Sequence, residues 1–243
     1  MKKLTLLISL ALTTSICQAS GGTHWAYSGD EGPEHWGELS DKFAICSTGK
    51  NQSPINISGL IEAELQPISF GYSATSTEIL NNGHTIQVNY NAGNNITIDG
   101  IDFELKQFHF HAPSENLIDG KSYPLEAHLV HADKNGNLAV IGIMFVEGKE
   151  NKVLAQAWKK MPEKANDRQT LTGVAANDLL PKNHDYYRFN GSLTTPPCSE
   201  GVRWLVMKNA VTASKSQIEA FTNVMQHPNN RPVQATNARP VLK

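Results

Sequence analysis

Nine histidines punctuate the chain: His24, His35, His84, His109, His111, His128, His131, His184 and His227. Imidazole ligates metals when neutral and exchanges protons near pH 7, so their spacing is the first feature to read. His109 and His111 lie two apart in the run Ile101 to His111. Residues two apart on a strand share a face, so Gln107, His109 and His111 face one way, with Phe108 and Phe110 opposite. In Leu125 to His131, the residues Glu126, His128 and Val130 share a face, and Leu125, Ala127, Leu129 and His131 share the other. If the two strands are neighbours, His128 completes a trio of imidazoles. Three neutral nitrogen donors with an open fourth position describe a catalytic zinc site. Gln107 and Glu126 precede His109 and His128 by two, where each can accept the ring N–H not needed for metal. A cupin-type reading, with Glu115 as a ligand in His109-x-His111-x-x-x-Glu115, fits less well. The glycine before the first histidine and a following Pro-x-Gly-x-x-His segment are missing.

The elements that must hold these residues read as strands. Thr85 to Tyr90 alternates apolar and polar residues, and Asp99-Gly100 is a hairpin signal between Asn95 to Ile98 and Ile101 to Phe110. Leu125 to His131, Leu138 to Val146 and Val202 to Met207 are further strands. Asn151 to Lys160 and Ser214 to Met225 read as helices, the second from Ile218, Phe221, Val224 and Met225 at helical spacing. Residues 20–60 are rich in Gly and Pro and read as loops. There is no internal repeat, low-complexity tract or interdomain linker. The expected fold is mainly β: one domain, a sheet with a few short peripheral helices.

The 243 residues are 40% hydrophobic and 18% charged, with 21 Lys and Arg against 23 Asp and Glu. Length favours one sizeable core. The absence of a basic run argues against nucleic acid. No apolar stretch reaches the roughly 18 residues of a membrane span. Lys2, Lys3, the apolar stretch Leu4 to Ile16 and Cys17-Gln18-Ala19 read as a secretory signal peptide over residues 1–19, leaving 20–243 as the mature domain. Cys46 and Cys198 remain. In an exported chain a disulfide is the default reading, with two buried thiols as the alternative.

Gln107-Phe108-His109-Phe110-His111, Ser114-Glu115 and Glu126-Ala127-His128-Leu129-Val130-His131 together resemble the alpha-class carbonic anhydrases. So do Ser192-Leu193-Thr194-Thr195-Pro196-Pro197-Cys198, His24-Trp25-Ala26-Tyr27, Gln52-Ser53-Pro54-Ile55-Asn56 and Asn81-Asn82-Gly83-His84. The match runs in order from about His24 to Arg231. It implies a twisted, mostly antiparallel mixed sheet of about ten strands with Zn2+ at the floor of a conical cleft. The leader, the Cys46/Cys198 pair and the short segment between His111 and His128 look like the bacterial periplasmic branch.

The resemblance implies reversible hydration of carbon dioxide to bicarbonate and a proton, by attack of zinc-bound hydroxide. His109, His111 and His128 would hold zinc. Thr194 would orient the nucleophile and pass its own proton to Glu115. Val130, Val140, Leu193, Thr195 and Trp204 would shape the substrate pocket. His84 would shuttle the proton along water lined by Tyr27, Asn82 and Gln87, where many members have Asn at the last position. Anions and sulfonamide-type compounds are the expected inhibitors, and a monomer or homodimer the expected assembly. His24 and His35 are expected to pack or hydrogen-bond in the entry segment, His131 to face away from the metal, and His184 and His227 to lie at the surface.

Overall fold

The computed structural model describes residues 23–243, so the leader read over residues 1–19 lies outside the described residues. In chain order the strands are β1 (Asn56–Ile57), β2 (Ser69–Tyr72), β3 (Ser76–Asn81), β4 (Ile86–Tyr90), β5 (Asn94–Ile98), β6 (Ile101–His111), β7 (Leu117–Ile118), β8 (Leu125–Ala132), β9 (Leu138–Glu147), β10 (Arg168–Thr170), β11 (Tyr186–Ser192), β12 (Glu200–Met207) and β13 (Val211–Ala213). The α-helices are α1 (Trp36–Leu39), α2 (Ile45–Thr48), α3 (Lys152–Trp158) and α4 (Lys215–Met225). Eleven strands form one mixed sheet, against about ten expected. Its spine runs β10-β3-β4-β6-β8-β9-β12-β11; β5 also pairs with β6, β2 with β5, and β13 with β9. The pairs β9–β12 and β9–β13 are parallel. β6 and β8 lie mid-sheet and antiparallel, with His109 directly opposite His128.

The β5–β6 hairpin turns on Asp99 (φ 55°) and Gly100 (φ 74°), the left-handed pair that a tight two-residue connection requires. Strict alternation does not hold along the whole of β6. Its register against β8 shifts between Leu105 and Gln107, so Lys106 is the extra residue of a bulge. Phe103 and Leu105 before the bulge, and Phe108 and Phe110 after it, all enter the same core. Without that phase change, Phe103 and Leu105 would share the face of His109 and His111. The bulge lets one strand bury four apolar side chains and still turn its last polar residues to the cleft.

That core lies behind the sheet, under α3 and α4. Asn151 caps α3 by accepting from Val153 N and Leu154 N. Ser214 and Gln217 form a capping box on α4. The Phe110 ring packs against Trp158 (centroids 5.0 Å) and Phe221 (6.0 Å). Truncating so buried a phenylalanine would cost about 3–5 kcal/mol. On the cleft side, Ile55, Ile57, Val140, Met144, Phe189, Val202, Trp204 and Val206 form a separate cluster. α1, α2 and residues 23–36 close the entrance around buried Trp36 and the Cys46–Cys198 disulfide (Cα–Cα 5.1 Å). The elements not read from the sequence are β1, β2, β3, β7, β10, β11, β13 and the short early helices. They are short, as β2 is, fully exposed, as β10 is, or without clean alternation of buried and open positions, as in β3 and β11.

Candidate metal centre

His109, His111 and His128 each offer a ring nitrogen, and these atoms lie within 4.8 Å of one another. Among the described residues they form the one such group, and Glu115 is not part of it. His111 and His128 are each 1% exposed, while His109 is more open. Burial holds the imidazoles in the neutral form: His111 is lowered to about 4, and His109 and His128 fall well below the ordinary value. Neutral rings keep a lone pair for a cation at physiological pH.

The opposite ring nitrogens select which atom faces the centre. His109 Nδ1 lies 2.8 Å from Gln107 Oε1, leaving Nε2. His111 Nδ1 donates to the main-chain oxygen of Asn229 at 2.6 Å, leaving Nε2, which is buried with no hydrogen-bond partner. His128 Nε2 lies 2.9 Å from Glu126 Oε1, off the line of a good hydrogen bond, leaving Nδ1. Three nitrogen donors without a carboxylate among them are a donor set suited to zinc. An orphaned buried nitrogen aimed at their common centre fits a cation there.

Glu126 is fully buried. It accepts from Glu115 N (2.8 Å), Asn116 N (2.9 Å) and Asn116 Nδ2 (2.8 Å). Burial raises its pKa, and these donors pull it back. Gly142 stands opposite His128 on β9; a Cβ there would come within 3.2 Å of Glu126 Oε1. Its lack of a side chain leaves room for the carboxylate, which no spacing rule signals.

Asn229 is the site residue the sequence reading missed. Its side chain accepts from Ala112 N (2.9 Å) and donates to His84 O (3.0 Å) and Phe110 O (2.9 Å). It is brought in by the end of α4, where Gln226 takes a left-handed conformation (φ 62°) and turns the chain back. Arg231, two residues on, is 1% exposed. It bonds Gln52 Oε1 (2.9 Å), Ser53 O (2.8 Å) and Cys46 O (2.7 Å).

Glu115 Oε1 accepts from Arg231 N at 2.8 Å. Its Oε2 lies 3.4 Å from His111 Nε2 and 3.8 Å from His128 Nδ1. Burial pushes this carboxyl up, while the Arg231 N–H and the Thr194 hydroxyl beside it push it down. Thr194 is buried in the turn after β11. Leu193 N donates to Ser199 O (3.0 Å) and Cys198 N to Thr195 O (2.8 Å), and the disulfide ties the turn to α2. Gly191 permits the close approach beneath, since a Cβ there would sit 2.1 Å from Ser53 Oγ.

Val130, Val140, Leu193 and Trp204 meet in the cleft-side cluster, and half-buried Thr195 follows in the turn. The Trp204 ring lies edge-on to His128 at 4.8 Å and donates Nε1–H to Ser192 O. At the mouth His84 is half-buried and stacked on Trp25 (3.7 Å, 9°), with Tyr27 6.5 Å away. Asn82 Oδ1 accepts from His84 N and Thr85 N, both at 2.9 Å. Gln87 sits opposite His109 on β4; its Oε1 is 3.5 Å from Asn82 Nδ2, and its Nε2 donates to Asn89 Oδ1 at 2.7 Å. His24 bonds Glu31, His35 lies near Glu38, and His184 and His227 are exposed. His131 faces the back core.

A family model described as eukaryotic-type carbonic anhydrase matches residues 31–243. A carbonic anhydrase of Pectobacterium carotovorum is 50% identical over 239 residues, covering 97% of this chain and 98% of its own. One from Neisseria gonorrhoeae is 47% identical over 243 residues, covering 99% and 96%. The structure of the alpha-carbonic anhydrase of Thermovibrio ammonificans, solved with the inhibitor sulfanilamide, superimposes with a TM-score of 0.90 at 53% identity, covering 92% of this chain and all of that one. Fold, trio and sequence agree: the chain belongs to the alpha-type carbonic anhydrase family.

Proposed function

We propose that this chain is a zinc enzyme for the reversible hydration of carbon dioxide to bicarbonate and a proton, with His84 as the proton shuttle. Three imidazole nitrogens within 4.8 Å of one another, one of them an orphaned buried atom, carry this assignment. His109 and His111 would bind through Nε2 and His128 through Nδ1. When bound, zinc supplies the Lewis acidity that makes hydroxide available from water near pH 7.

The remaining work falls to side chains. When ionised, Glu115 can only accept, so the Thr194 hydroxyl donates its hydrogen bond to it and turns an acceptor lone pair toward the nucleophile. That polarity favours inhibitors whose binding atom carries a proton, as a sulfonamide nitrogen does. Carbon dioxide is linear and uncharged. The apolar wall of Val130, Val140, Leu193 and Trp204, with Thr195 at its edge, offers a weak binding surface without competing hydrogen bonds. His84 at the mouth would take up the leaving proton and release it readily, since burial lowers its pKa below the ordinary value, with Tyr27, Asn82 and Gln87 lining the way.

Residues 1–19 act, in this proposal, as a secretory signal peptide, with 20–243 the mature periplasmic domain. Support comes from the Cys46–Cys198 disulfide. No helix among the described residues is long and apolar enough to cross a membrane.

Stopped-flow carbon dioxide hydration, with and without a chelator and beside a metal count, tests the activity. One zinc per chain, with hydration lost on stripping and regained on reloading, is expected. Zinc bound without hydration, or full turnover by the stripped protein, would overturn it.

A further inference from the structure

We propose that His227 is a second proton-relay group, taking the proton from His84 through solvent and releasing it at the lip of the cleft. This rests on the activity proposed above, because the relay matters only if a proton must leave.

His84 is poorly placed to discharge alone. One face of its ring is covered by Trp25 at 3.7 Å, and the residue is half-buried. The Tyr27 ring neighbours both imidazoles, 6.5 Å from His84 and 6.2 Å from His227. His227 is exposed, and with Tyr27, Glu34, Pro228 and Asn230 it lines a cavity of about 460 Å3. Its Nδ1 lies 3.0 Å from Pro228 O. A carbonyl oxygen can only accept, so Nδ1 carries the hydrogen and Nε2 remains the basic atom. The left-handed end of α4 at Gln226 places this ring. The same turn delivers Asn229 to the oxygen of His84, so the two histidines share one support.

The charged neighbours are few. His24 is paired with Glu31, and Glu34 faces the same cavity as His227. Burial is the main cause that opposes protonation of His84, and positive charge on His24 and on His227 adds to it. A proton already passed to His227 therefore hinders the next from resting on His84 until it is released. In the transfer, His84 loses its extra N–H proton, His227 Nε2 gains it, and water or buffer then takes it; no other bond changes.

The test compares zinc-loaded wild type, His227→Asn, His227→Lys and His84→Ala in carbon dioxide hydration, in weak buffer and in concentrated imidazole. Loss of His227 should lower kcat about threefold in weak buffer and leave kcat/KM unchanged. That is less than the 10²–10⁴-fold of a primary acid–base group. Imidazole should restore the rate. His227→Lys keeps a positive charge without a neutral-range titration and should be as slow as His227→Asn. Independently of turnover, the His84 imidazole of the metal-free protein, followed by NMR, should titrate about 0.3 pH unit higher in His227→Asn. That is the size expected for two charges about 10 Å apart in water. Wild-type kcat in weak buffer for both variants, an equal fall in kcat and kcat/KM, or an unmoved His84 midpoint would refute the relay while wild-type hydration stands. A zinc-loaded wild type without hydration would remove the activity and the relay with it.

Discussion

The main-chain N–H of Arg231 donates to Oε1 of Glu115 at 2.8 Å, across 116 positions of sequence. The same arginine spends its guanidinium on Gln52, Ser53 and Cys46, all buried or nearly so. One residue thus ties the carboxylate behind Thr194 to the segment that carries the disulfide. Burial lowers the guanidinium to about 10, so it stays cationic at neutral pH. Arg231→Met should leave three acceptors without a donor and destabilise the fold by about 3–5 kcal/mol in urea unfolding. A loss below about 1 kcal/mol would mean that the buried hub is not structurally important.

Glu126→Gln keeps the shape of the side chain behind His128 and removes its charge. The ligand should become less basic, and zinc affinity should fall about 10–100-fold in chelator competition. Unchanged affinity would show that the 2.9 Å approach does not tune the metal ligand.

His84→Ala should lower the buffer-limited rate by about 10²-fold, with recovery in imidazole. Rates independent of buffer in both proteins would assign the proton exit to another group.

His131 provides a pH test away from the metal. Its Nε2 lies 2.6 Å from the Tyr72 hydroxyl, and its Nδ1 lies 3.2 Å from Ala139 O. Burial outweighs these contacts, which by themselves favour the charged ring, and lowers its pKa to about 4. The unfolded chain binds that proton near pH 6.5 and the folded one does not. The contribution is therefore complete above pH 6.5 and lost as pH falls toward 4, amounting to about 3 kcal/mol. Glu115 and Glu126, raised by burial, act in the opposite direction, so the comparison must be between wild type and His131→Asn. Their stability difference should shrink from pH 7 to pH 4; parallel profiles would contradict it.

Cys46 and Cys198 close a loop of 152 positions. In the chain-entropy view this stabilises the fold by about 5 kcal/mol. Because Cys198 ends the turn that carries Thr194, reduction should lower both Tm and the hydration rate. Unchanged melting with two thiols titrated would rule out a stabilising role.

The elements that read correctly are those whose signal is local. His109 and His111 share a face because a pleat repeats every two residues. Asp99-Gly100 turns because its residues accept positive φ. Asn151 and Ser214 cap helices through their own side chains. Gln107 reaches His109 from two positions away on the same face. Other features depend on segments that meet only after folding. The bulge at Lys106 is a property of how β6 registers on β8. Asn229 reaches His111 across 118 positions, Arg231 reaches Gln52 across 179, and Gly142 matters because Glu126 needs the space beside it. Side-chain periodicity is encoded within each strand. The partner of a ring nitrogen, or the room for a carboxylate, is set by which distant strands and loops pack together, and no local pattern records that.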